Sequence, residues 1–334
     1  MLDLIIPIFS IDGTFLIYVL ILAFVFDILL GEPPAAVHPV VWIGRFVQFF
    51  KERAPVNNRK LYGVILAVLT MIFSSLIAVM ILLVLTSVII PEAVRLLIGA
   101  YFLKSTFAIQ SLLNPAKSIA SDILNERYAQ AREKLPIFVS RDPSTLSEEQ
   151  VSSAVIESVS ENYVDGIITP LFYYMLLGPL GLVAAYVYKG VNTLDSMIGY
   201  KDEEHIELGY FSAKMDDVLN WVPARLSILF IAGSAAIIWL LFPAKKGTMD
   251  VRSSLRLAST QSKRTPSPNS GYPMAAASGA IKVRLEKPNN YVLGEQYALP
   301  KPEDINRVSQ LIFIASILSF AAFAAAINFA WIWY

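Results

Sequence analysis

The sequence predicts an all-α polytopic membrane protein, with about six transmembrane or re-entrant helices joined by helical cytoplasmic connections. Three observations carry this expectation. Of 334 residues, 55% are hydrophobic and only 16% are charged, whereas soluble domains carry roughly 25% charged residues. Mean hydropathy is +0.56. The apolar residues also gather into runs that match the roughly 20 residues a helix needs to cross a bilayer. Balanced charge, 27 basic against 27 acidic residues, excludes a generally basic nucleic-acid binder and a generally acidic disordered chain. With no cysteine, disulfides, thiolate zinc sites and a cysteine nucleophile are excluded as well.

The apolar runs lie near residues 14–30, 61–90, 94–113, 167–189, 221–243 and 309–334. No Lys or Arg precedes the first run, and the first basic residue is Arg45, so that run is expected to remain as a helix rather than to be removed as a signal peptide. The second is long enough to span with tilt. Pro91 and Glu92 part it from the third, and the two read as a tight helical hairpin. The fourth run is broken by Gly178-Pro179-Leu180-Gly181. Such a break can turn the chain back on itself, because irregular backbone is tolerated at membrane depth where protein or a cavity surrounds it. The whole chain, 1–334, reads as one membrane-embedded catalytic domain, with function in the polar connections 31–60, 114–166, 190–220 and 244–308. These hold five, five, two and eleven Lys and Arg residues respectively. By the positive-inside rule the three basic connections face the cytoplasm and 190–220 lies outside.

Within 114–166, Ser147 and Gln150 stand at capping-box spacing, and a helix is expected from about 147 to 165, ended by Gly166. Glu157, Glu161 and Asp165 recur every four residues on it, forming an acidic stripe. No basic residue lies between Arg141 and Lys189 to offset them. Like charges at that spacing repel, and a divalent cation would compensate, Mg²⁺ commonly taking one or two carboxylates plus substrate phosphates. A solvated acidic helix face is the competing reading. Asp27 and Lys104 are ionisable groups inside apolar runs: Asp27 is a functional candidate by default or a helix-end residue near the interface, and Lys104 is a phosphate partner or half of a buried ion pair. His38 is one of two histidines, too few for a zinc site in a chain without cysteine.

In 244–308, the stretch Ser262-Lys263-Arg264-Thr265-Pro266-Ser267-Pro268-Asn269-Ser270-Gly271 sets two cations beside small donors in a proline-braced loop. It precedes an Ala-rich segment, Met274 to Ala280, that can start a helix. Cations, hydroxyls and backbone N–H groups at a helix start suit a phosphate, although the Walker A ending is missing. A basic loop against anionic headgroups is the alternative. Asn192 and Asp195 share a face if their segment is helical, and Asp216-Asp217 precede the fifth apolar run.

These strings together resemble one family. The order Asp27…Gly31-Glu32-Pro33…His38-Pro39-Val40…Gly44-Arg45, Ser140-Arg141-Asp142, Glu157…Glu161-Asn162…Asp165-Gly166, Asn192-Thr193-Leu194-Asp195, Asp216-Asp217…Asn220-Trp221…Arg225 and Ser267-Pro268-Asn269-Ser270-Gly271 is similar to that of the CbiB/CobD membrane proteins of cobalamin biosynthesis, the adenosylcobinamide-phosphate synthases. The resemblance covers nearly the whole chain. It implies an amide ligase that uses ATP and Mg²⁺ to join adenosylcobyric acid, a corrinoid, to aminopropanol or its phosphate. The setting it implies is a prokaryotic inner membrane with the site facing the cytoplasm, with other cobalamin-assembly enzymes as candidate partners and no nucleic acid.

On that reading His38, Arg141, Asp142, Glu157 and Asn162 are the catalytic candidates, with His38 or a carboxylate accepting a proton from the amine. Lys263, Arg264, Ser267, Asn269, Ser270, Gly271, Arg45 and Asn192 are the nucleotide-binding candidates, and Glu157, Glu161, Asp165 and Asp195 the metal ligands. Two rival functions are weighed. A membrane transferase acting on a prenyl or lipid diphosphate would use paired Asp-rich motifs, which are not matched. A small-molecule transporter would line a pathway with Asp27 and Lys104, but the large polar connections argue against it.

Overall fold

The computed structural model describes residues 11–138, 146–200, 202–203, 205–242 and 247–331. Arg141 and Asp142 lie outside the described residues. The elements in chain order are α1 (Gly13–Leu30), α2 (Pro39–Lys51), α3 (Arg59–Leu85), α4 (Glu92–Lys104), α5 (Gln110–Leu124), α6 (Tyr128–Lys134), α7 (Glu148–Tyr163), a π turn (Val164–Ile168), α8 (Thr169–Leu177), α9 (Gly181–Ile198), α10 (Tyr210–Leu219), α11 (Trp221–Leu241), α12 (Val251–Gln261), α13 (Gly271–Ile281), a hairpin of β1 (Leu285–Lys287) and β2 (Tyr291–Leu293), and α14 (Pro302–Trp331). Among the described residues, five helical stretches are long and apolar enough to cross a membrane: Gly13–Leu30, Arg59–Leu85, Glu148–Ile198, Trp221–Leu241 and Pro302–Trp331. The protein is a helical, multi-pass membrane protein.

The chain divides into two compact units. The first comprises Met1–Ala108, Thr169–Leu219 and Phe320–Tyr334. In it α1 packs along α4, and α9 packs against α3, α2, α8 and α10. The third apolar run departs from expectation. Its helix ends at Lys104 after 13 residues, about 20 Å at 1.5 Å per residue and short of a bilayer core. The break at 178–181 does reverse the chain: α8 and α9 are joined by the single turn Gly178–Leu180, and the Tyr173 and Tyr188 rings stack across them at 6.0 Å. The stretch 148–198 is therefore not one straight rod. Gly178 holds φ +51, and a Cβ on Gly181 would lie 2.0 Å from the Tyr174 carbonyl oxygen; only glycine fits this reversal.

The second unit comprises Ile109–Ile168 and Asn220–Ser319. Its centre is α13, all of whose residues except Tyr272 are buried. The helix is built from Ala, Gly and Ser because its neighbours come close: a Cβ on Gly279 would meet the Ser253 carbonyl oxygen of α12 at 2.3 Å. Ser254 donates to the Ala276 carbonyl across the same contact, at 2.9 Å. The capping box expected at the start of α7 is present, with the Gln150 N–H donating to Ser147 Oγ and the Ser147 N–H to Gln150 Oε1. Gly166 does not end that helix. It sits inside the π turn, and helical structure resumes at Thr169. The β hairpin pairs Leu285 with Leu293 and Lys287 with Tyr291, and the Ser153 hydroxyl of α7 accepts from the Glu286 N–H at 2.9 Å.

Candidate functional site

In the first unit, α1 delivers Asp27 at zero exposure and α4 delivers Lys104 at 2%. The Lys104 ammonium lies 3.1 Å from Asp27 Oδ1 and 2.8 Å from Glu32 Oε1, and it donates to the Phe107 carbonyl at 3.1 Å. The other Glu32 oxygen lies 3.0 Å from His38 Nε2. His38 also caps α2: its Nδ1 accepts from the Val40 N–H at 3.2 Å, and Pro39 stands at the first helical position, where a missing N–H costs nothing. Glu32, with a side chain 34% exposed, opens this otherwise enclosed chain of charges to solvent, whereas the His38 side chain is 11% exposed. Asp27 is thus a buried partner of Lys104 rather than a loose helix end.

On α9 of the same unit, Lys189 donates to Asn192 Oδ1 at 3.1 Å, and Asn192 Nδ2 donates to Asp216 Oδ1 of α10 at 3.3 Å. Asp195, half-buried on the next turn, packs so tightly over the helix end that a Cβ on Gly199 would lie 2.0 Å from its Oδ1. Arg45 is exposed on α2, beside Gly44, whose Cβ position lies 3.9 Å from the Thr193 methyl.

In the second unit, the loop before α13 is an organised structure. Ser267 Oγ accepts the N–H groups of Asn269 and Ser270, both at 3.2 Å, so the turn leads into the helix that starts at Gly271. Arg225 of α11 clamps it. Its Nη1 donates to the Trp221 carbonyl at 2.7 Å and to Asn269 Oδ1 at 3.0 Å, and Nη2 reaches the Tyr272 hydroxyl at 3.2 Å. The guanidinium lies over both the Trp221 and the Tyr272 ring, 4.3 and 4.2 Å from their centroids, two cation–π contacts. Lys263 is exposed. Arg264 is drawn to the β2 side, where it pairs with Glu295 and donates to the Val292 carbonyl, each at 3.3 Å.

The acidic stripe on α7 divides. Glu157 is 6% exposed and accepts from Ser153 Oγ at 2.7 Å and from the Tyr291 hydroxyl of β2. It therefore ties α7 to the hairpin through Oε2, while Oε1 is held by Ser153 of its own helix. Glu161 and Asp165 are half-buried, Asp165 within the π turn. Asn162 is exposed, its amide donating to the Ser158 carbonyl at 2.9 Å. No group of three or more His, Asp or Glu side chains close enough to hold a metal ion occurs among the described residues.

Sequence reasoning missed three contributors. Glu32 was quoted without a role, Arg225 without its clamp, and the Tyr291 hairpin was not expected at all. The turn residues Pro288-Asn289-Asn290 between Lys287 and Tyr291 are the available signal for the hairpin, since Pro and Asn favour turns and Asn tolerates the left-handed region; Asn289 has φ +61.

Comparison with known proteins points one way. The family profile described as CobD/Cbib protein matches residues 20–312. The chain is 42% identical over 311 residues to a probable cobalamin biosynthesis protein CobD of Methanothrix thermoacetophila, covering 90% of this chain and 93% of that one. It is 39% identical over 277 residues to a probable cobalamin biosynthesis protein CobD of Methanothermobacter thermautotrophicus, covering 83% and 86%. It is also 39% identical over 275 residues to the cobalamin biosynthesis protein CobD of Pelobacter propionicus, covering 82% and 81%. No solved structure matches the chain.

Proposed function

The chain belongs to the CobD/CbiB family of cobalamin biosynthesis, and from that premise we propose that it is an ATP- and Mg²⁺-dependent amide ligase. It joins a carboxylate of adenosylcobyric acid to (R)-1-aminopropan-2-ol or its O-phosphate. The observation that carries the ATP half of this reading is the Ser267–Gly271 turn, clamped by Arg225 at the start of the buried helix α13. A carboxylate is a poor electrophile at neutral pH. Amide formation requires one of its oxygens to become a leaving group, which phosphoryl or adenylyl transfer from ATP supplies, and such transfer is mostly a matter of positioning and charge neutralisation. The loop offers Ser270, Asn269 and nearby Lys263 to phosphate oxygens, with a helix N-terminus behind them.

A cage made by the protein alone is not the fit for Mg²⁺, since the carboxylates do not gather in threes among the described residues. The donor chemistry does fit the mode in which one or two carboxylates share the ion with substrate phosphates. Glu161 and Asp165 would hold it, and Glu157 orients the hairpin. Bound there, Mg²⁺ would supply charge neutralisation to a transferring phosphate. Eleven Lys and Arg residues in 244–308 favour a site facing the cytoplasm of a prokaryotic cell.

The test is reconstitution in detergent. Purified protein, ATP, Mg²⁺, a corrinoid acid and aminopropanol or its phosphate should give a new amide detected by mass spectrometry, with no sealed membrane required. Folded protein that makes no amide, but moves a corrinoid across vesicle membranes, would instead support the transporter reading.

A further inference from the structure

Resting on the amide-ligase reading, we propose that His38 is not the proton acceptor of the reaction but a positioning residue, held as its Nε2–H tautomer, whose task is to orient Glu32. The argument starts from the backbone. A peptide N–H can only donate, so the contact from the Val40 N–H to His38 Nδ1, at 3.2 Å, requires a lone pair on Nδ1. The ring proton of neutral His38 is then on Nε2, 3.0 Å from Glu32 Oε2, where it donates to a carboxylate. Both ring nitrogens are committed, one by the cap of α2 and one by Glu32.

Taking up a proton at Nδ1 would break the cap and set an N–H against the Val40 N–H. That cost falls at the start of α2, where the Val40 N–H has His38 Nδ1 as its side-chain partner. Around His38, Glu32 is shared with Lys104, Lys104 is shared with the buried Asp27, and the nearby Tyr101 hydroxyl donates to the Val37 carbonyl at 2.8 Å. Lys104 and His38 approach opposite oxygens of one carboxylate, which fixes its plane. Glu32 is the member of the set that reaches solvent, so it is through Glu32 that this cluster meets substrate.

Two substitutions separate the roles of the two nitrogens. In His38→Asn the side-chain oxygen can still accept from Val40, as Asn is a favoured N-cap, but the side chain no longer reaches Glu32. In His38→Gln the amide can still donate to Glu32 while the cap is weakened. The proposal expects His38→Gln to keep kcat within about tenfold of the parent chain, with a lower Tm and an unchanged acidic limb of the pH–rate profile, and His38→Asn to keep Tm but lose kcat by about 100-fold or more. Equal loss of kcat in both variants, with the acidic limb abolished, would overturn it.

A second measurement does not depend on activity. The chain has two histidines, so ¹⁵N-histidine labelling of the full-length protein in detergent, with His205→Gln for assignment, reads the His38 tautomer directly. Protonated Nε2 and unprotonated Nδ1 are expected at neutral pH, and a proton on Nδ1 would refute the proposal. If the parent chain makes no amide while this tautomer is found, the reaction assignment fails and the positioning of Glu32 stands.

Discussion

Lys104 is an ionisable side chain in a place that penalises charge. It is 2% exposed and Asp27 is not exposed at all; Lys104 is the ion-pair partner of Asp27, and Lys104 itself is held by Asp27 and the half-exposed Glu32. Removing one partner of a buried pair costs about 3–5 kcal/mol, while replacing both by apolar groups is often close to neutral. Lys104→Met is therefore expected to lower the thermal stability of the detergent-solubilised protein sharply, and Asp27→Leu combined with Lys104→Met to recover most of the loss. Unfolding curves of the two variants check this; a double variant no more stable than the single one would show that the pair is not the unit of stability. Both residues stood out in the sequence as ionisable groups inside apolar runs. Their pairing did not, because contacts between distant helices leave no mark in spacing along the chain.

At the scale of elements, local signals were legible wherever the cause was local. Ser147 and Gln150 announced a capping box and it formed, and the Ala-rich stretch after Gly271 became a buried helix. Gly178-Pro179-Leu180-Gly181 marked the reversal between α8 and α9. Gly166 misled, since a helix can absorb a glycine by widening to a π turn when its neighbours hold it, and α11 packs against this one. The third apolar run misled for another reason: hydropathy marks the apolar stretch but not where its helix stops, and this one ends at Lys104 after 13 residues, too few to span.

The joint between α5 and α6 makes a pH prediction. Lys134, hydrogen-bonded to Asp122, and then Arg127, at 2.9 Å, hold the Asp122 carboxyl below the usual carboxylate range against the opposing effect of burial. A depressed carboxyl stabilises the fold above the unfolded-state value, near 4, and that contribution is lost as pH falls through the folded value. The Tm difference between the parent chain and Asp122→Asn should be largest near neutral pH and shrink as pH drops below about 4. A difference independent of pH would contradict the ion-pair account.

For the whole molecule, the membrane class was readable from composition and run length, and five helical stretches meet the requirement for crossing among the described residues. Of the residues singled out in the sequence, those of the Ser267–Gly271 loop and of α7 lie in organised structure in the second unit, and those of the Asp27–His38 region in the first. What the sequence could not show was which carboxylates spend their oxygens on the fold. Glu157 does so, on Ser153 and Tyr291, and Glu32 shares its own between Lys104 and His38. The central claim is that ATP converts a corrinoid carboxylate into a leaving group for attack by an amine. Turnover of a corrinoid acid labelled with ¹⁸O in its reacting carboxyl tests that claim most directly. The account predicts one ¹⁸O atom in the phosphate or AMP released for every amide formed; amide formation with no label in any phosphorus-containing product would contradict it.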